Sequence, residues 1–143
     1  MCYQLFLASD QPLPLVEWSP GAVFGVTALE DHPPLPAEMG QPYLYDIGSH
    51  TSCGCGFDRF GGGIGYGEDY DYDGLTAQSL DALADYLDRA IGQGSTLALY
   101  YVWTGEENQP VEHRSTIWPD RLRDPAFVLE NRHLIEVAKS LWS

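Results

Sequence analysis

A helical period that passes directly into a strand apolar on both sides is the feature that most restricts how this chain can fold. Leu80, Leu83, Ala84, Leu87 and Ile91 recur at one-turn and two-turn spacing and form a single stripe, while Asp81, Asp85 and Asp88 lie off it. Thr76 or Ser79 can cap the start of this helix, and Gly92 or Gly94 offers the left-handed residue that ends one. From Thr96 to Trp103, the residues Leu97, Leu99, Tyr101 and Trp103 alternate with Ala98, Tyr100 and Val102, so neither side of that strand suits water. A helix laid on a sheet through Leu83, Leu87, Ile91, Leu97, Leu99 and Tyr101 follows.

Other segments supply further strands. Cys2 to Ser9 is apolar on both faces and reads as central. Seven prolines between Asp10 and Pro42 remove amide donors and fix φ, leaving Ala22 to Leu29 as the credible strand there and ordered loop elsewhere. Pro12-Leu13-Pro14 and Pro33-Pro34-Leu35-Pro36 read as stiff connections before they read as polyproline ligands. Tyr43 to Ile47 is a short strand. Val111 to Trp118 carries His113, Arg114, Ser115 and Thr116, too polar for a sheet centre, and is expected at an edge beside the preceding strand. His133 to Ala138 forms the last strand. The expected architecture is one α+β domain over residues 1–143, with an antiparallel or mixed sheet of five to seven strands and one main helix across a face.

Charge narrows the partners. Against 21 acidic residues stand 7 lysines and arginines, and a net charge of -14 disfavours a nucleic-acid backbone or an anionic membrane surface. No apolar run approaches the roughly 20 residues that cross a bilayer, and the opening residues lack the basic stretch of a secretory signal. Three cysteines are too few for a disulfide scaffold, so a reducing cytoplasm is expected. A protein partner or self-association stays open through Trp118 beside Arg114, although charged residues on an edge strand more often deter unwanted pairing.

Chemistry is densest from His50 to Cys55. His50-x-x-Cys53-x-Cys55 gathers an imidazole and two thiols, and Gly48, Gly54 and Gly56 let the backbone fold tightly around them. Zinc is the natural candidate, with Cys2 able to supply a fourth ligand, although the common Cys-x-x-Cys spacing is absent. The same residues admit a strained Cys53–Cys55 redox pair or a Cys53 nucleophile assisted by His50, but the favoured expectation is thiols that simply pack under a sheet, since cysteine is among the most buried residue types. Loss of Met1 would turn Cys2 into an amine-assisted nucleophile, a route that a retained Met1 blocks.

Two weaker signals follow. Asp69-Tyr70-Asp71-Tyr72-Asp73-Gly74 matches the first half of a calcium loop, but Leu80 stands where the bidentate glutamate belongs, so calcium at Asp69, Asp71 and Asp73 is disfavoured. Gly61 to Gly67 has no lysine and no helix directly after it, and reads as loop or flap rather than a phosphate cradle.

The opening Met-Cys-Tyr-Gln-Leu, the Gly-Ser-His-x-x-Cys-Gly-Cys-Gly-Phe segment and the helix followed by an aromatic strand ending Trp-Thr-Gly-Glu-Glu resemble a small, uncharacterised bacterial protein family. That resemblance implies a bacterial, cytosolic protein and brings no activity, cofactor or site residue. A binding or interaction domain is the favoured expectation, with a thiol-dependent or metal-dependent enzyme centred on Cys53, Cys55 and His50 as the alternative.

Overall fold

A computed structural model describes residues 2–31, 34–58 and 74–138. The segment Gly61–Gly67 and the aspartates at 69, 71 and 73 lie outside the described residues. Among the described residues six strands, β1 (Tyr3–Ser9), β2 (Phe24–Ala28), β3 (Tyr43–Ser49), β4 (Leu97–Trp103), β5 (His113–Ile117) and β6 (His133–Val137), accompany one α-helix, α1 (Leu75–Gly92). The strands form one mixed sheet in the order β2-β3-β1-β4-β6-β5, in which only the β5–β6 pair is parallel. This is an α+β fold.

Burial on both sides explains the unbroken apolar character of β1 and β4. On one face Leu5, Leu7, Ile47, Leu99, Tyr101 and Ile135 pack with Leu80, Leu83, Ala84 and Leu87 of α1. On the other, Phe6, Ala8, Tyr100, Val102 and Leu134 pack with Met39, and Leu29, Leu35, Leu44 and Val111 lie over them. The later part of the proline-rich stretch, with Leu35 and the 3₁₀ turn at Ala37–Met39, therefore covers the second face, while Leu13 of its first part joins the helix-side core. Stiff residues suit this role because they surrender little chain entropy on ordering.

Two expectations are corrected. Neither Thr76 nor Ser79 occupies the N-cap of α1; Gly74 does, in a left-handed conformation. Both hydroxyl residues are buried, and the Ser79 hydroxyl instead accepts the backbone N–H of His50. The C-terminal end follows expectation, with Gly94 at φ +92° and its N–H bonded to the Ile91 carbonyl.

The second correction concerns β5, which pairs with β6 and not with β4. A strand as apolar as β4 takes the more apolar neighbour, and β6 offers Leu134, Ile135 and Val137, all buried. The polar β5 is left at the sheet edge. A parallel neighbour needs a crossover, which here runs through a 3₁₀ turn at Pro119–Arg123. Leu122 of that turn enters the helix-side core, and the Arg123 guanidinium holds Asp81 at 2.6 Å, Asp85 at 2.6 Å and Asp120 at 2.9 Å.

Inside the parallel pair, the buried His133 ring ties β5 to its connection. The Glu130 N–H donates to Nδ1 at 3.2 Å, so the neutral ring carries its proton on Nε2 and donates it to the Ser115 hydroxyl at 2.7 Å. Burial of the ring, reinforced by nearby His113, lowers its pKa.

Two outcomes follow. Leu83→Ala empties a fully buried site between helix and sheet and should cost about 3 kcal/mol in urea denaturation. Because the folded state resists protonating His133, its contribution is complete above the unfolded histidine pKa of about 6.5 and declines as pH falls toward the lowered folded value. His133→Asn should remove that part of the slope when urea midpoints at pH 7.5 and pH 5.5 are compared, and an unchanged slope would exclude the ring as its source.

Candidate metal centre

Antiparallel pairing brings the end of β3 beside the start of β1, with Leu5 opposite Ile47. The residues that follow β3 must therefore turn back near Cys2. They do so around Ser49, whose N–H and hydroxyl both donate to the Cys53 carbonyl, at 2.9 and 2.7 Å, while the Ser52 N–H donates to the Ser49 carbonyl. Ser52 takes a left-handed conformation at φ 67°. Gly48 is required here, since a Cβ would sit 2.7 Å from the Ser52 carbonyl oxygen.

From Gly54 to Phe57 the chain makes a 3₁₀ turn flat against β1. A Cβ at Gly54 would press to 3.0 Å on the Tyr3 carbonyl oxygen and the Leu5 nitrogen, and one at Gly56 would collide with the Ser49 hydroxyl and the His50 ring. The absence of side chains at these positions is what allows the thiols to approach the strand. Three anchors fix the arrangement: Phe57 enters the core, the Tyr101 hydroxyl donates to the Gly54 carbonyl at 3.0 Å, and the Tyr3 N–H donates to Cys55 Sγ at 3.2 Å. Cys2 is held from the far side, where its carbonyl accepts the N–H of Thr104 at 3.0 Å.

As a result the sulfurs of Cys2, Cys53 and Cys55 all lie within 4.8 Å of one another. Tetrahedral zinc with bonds of about 2.3 Å draws its sulfurs to separations of about 3.8 Å, so closure around an ion needs shifts of an ångström or less. All three cysteines are free thiols; Cys55 is buried, while Cys2 and Cys53 are half-buried.

Charge is unevenly shared. Burial pushes the Cys53 thiol up, but the Thr51 hydroxyl at 3.4 Å, the Cys55 N–H and the two neighbouring thiols together outweigh it, and its pKa falls below the ordinary thiol value. Cys55 is pushed up to about 12, chiefly by burial, with the Cys53 charge adding to this and the Tyr3 N–H opposing it. Burial also raises Cys2. The first negative charge of the trio therefore resides on Cys53, with the other two thiols as its donors.

Of the four residues expected from sequence to bind metal, the structure gathers the three cysteines and puts His50 to different use. The His50 ring stands over Gly56, with Nδ1 3.3 Å from the Ser79 hydroxyl, so the residue brackets the loop to α1. Tyr3, Thr51, Tyr101 and Thr104, which support the thiols, were not legible as site residues. Only knowledge of the strand pairing would have revealed them. At the edge strand, the polar side chains are matched within the chain: Arg114 meets Glu38 at 2.7 Å, His113 Nδ1 lies 3.0 Å from a Glu130 carboxylate oxygen, and Asp120 meets Arg123.

Compared with protein-family models, with curated proteins and with solved structures, this chain matches none. Among the described residues no helix is long and apolar enough to cross a membrane.

Iodoacetamide should label Cys53 first and Cys55 last in the metal-free protein at neutral pH. Since thiolate fraction and access both favour Cys53, a rate difference of at least about tenfold is expected by peptide mass mapping. Equal labelling of the two would contradict the charge distribution derived above.

Proposed function

We propose that this chain is a metal-binding domain in which the Cys2, Cys53 and Cys55 thiolates hold one thiophilic cation, zinc foremost. The carrying observation is the approach of three sulfurs from two distant parts of the sequence to within 4.8 Å. Soft thiolates select d¹⁰ cations over calcium or magnesium, and the N–H donated to Cys55 Sγ is the kind of outer contact that orients a ligating sulfur. The ion would staple the N-terminal end of β1 to the loop after β3, so its role is to bind and brace. A cytosolic setting accords with this reading, because a reducing compartment keeps three thiols available.

A second reading rests on the lowered Cys53 thiol with two thiols in reach, which suits dithiol–disulfide chemistry. Metal content separates the two. Elemental analysis of protein purified without chelator should find near one zinc per chain, and none in a Cys53→Ser, Cys55→Ser double variant. Zinc at a thousandfold excess over its Kd should add about 4 kcal/mol to the stability of the stripped protein. Protein that neither retains nor takes up zinc would retire the metal reading in favour of thiol chemistry.

A further inference from the structure

We infer that the cation held by Cys2, Cys53 and Cys55 takes no fourth side chain from the described residues and keeps its fourth coordination position for an exchangeable neutral donor from solution, water or an imidazole-type nitrogen. The inference rests on the metal-binding reading and specifies what completes that site.

Three observations carry it. Among the described residues the group of mutually close ligand atoms contains three members, whereas tetrahedral zinc takes four ligands. His50, the one other soft donor in the segment, is committed elsewhere: its backbone N–H and its ring both address Ser79, and the ring fills the space that Gly56 leaves open. Drawing that ring to the sulfurs would break its bracket to α1. The trio is also asymmetric, since Cys55 is 6% exposed and receives the Tyr3 N–H from behind, while Cys2 and Cys53 are only half-buried. Of the three thiols, Cys2 and Cys53 are therefore the ones a ligand from solution would approach.

Charge then selects the ligand class. A divalent ion with three thiolates carries a net charge of about -1. The chain around it carries -14, so an anionic fourth ligand would add repulsion where a neutral one adds none. Three anionic ligands also leave the ion little power to ionise a bound water, in contrast to zinc held by three neutral imidazoles, which argues for ligand binding over hydrolysis.

Cobalt(II) loaded into the full chain provides the test. The expected spectrum has tetrahedral d–d bands with charge-transfer intensity for three thiolates, and titrated imidazole should shift the d–d bands saturably while that intensity stays constant. Acetate at the same concentrations should leave the bands in place. Wild-type bands that ignore imidazole would overturn the inference, as would a His50→Ala variant that gains an imidazole response the wild type lacks. A shift with acetate equal to that with imidazole would overturn the choice of a neutral donor. If cobalt produces no sulfur charge-transfer band at all, the metal-binding reading itself fails and the inference falls with it.

Discussion

Pairing of β1 with β3 is the constraint on which both the sheet and the site depend. An antiparallel neighbour must end where its partner begins, so the register that places Leu5 opposite Ile47 also carries residues 50–55 back to Cys2. No local feature of the His50–Cys55 segment could produce this meeting. The third thiol comes from about fifty residues upstream and arrives through backbone hydrogen bonding.

Glycines then decide how close the approach becomes. Gly54 lies on the backbone of β1 and Gly56 lies beneath a histidine ring, so the spacing of the two glycines around Cys55 reflects two separate surfaces that the turn must fit. The hydrogen bonds from Tyr101 and Tyr3 meet the same short turn from the sheet. Tyr101 itself stacks on Tyr3 with ring centroids 4.7 Å apart, and Trp103 meets Tyr3 edge-on at 5.0 Å. Aromatic residues of two central strands thus form a firm floor under the thiols, and a rigid floor is what a preorganised ligand set requires.

What could be read beforehand follows from the range of each signal. The stripe from Leu80 to Ile91 and the double-sided strands β1 and β4 are local patterns, and their elements stand where periodicity puts them. Ser79 does not cap the helix because it serves a tertiary contact with His50 that outranks its local preference. The neighbour of β5 is not the strand next to it in sequence because adjacency competes with burial, and the apolar β6 has the stronger claim on β4. At the site, the three cysteines were legible as chemistry but not as a group. Chemistry of side chains is visible in sequence, whereas the choice among Cys2, His50, Cys53 and Cys55 depends on which way each backbone faces.

The position of β1 in the middle of the sheet also has a consequence for how the chain reaches its fold. Tyr3 pairs with Trp103 across a separation of a hundred residues, and β1 borders β3 on its other side. During synthesis the strand that organises the sheet emerges before both of its neighbours, and it gains the second of them only when β4 has been made. Until then its apolar flank has only temporary company, and loop closure over that length must precede any reward from pairing. High contact order is thus written into this topology, and the sheet can close around β1 only once β4 is available to it.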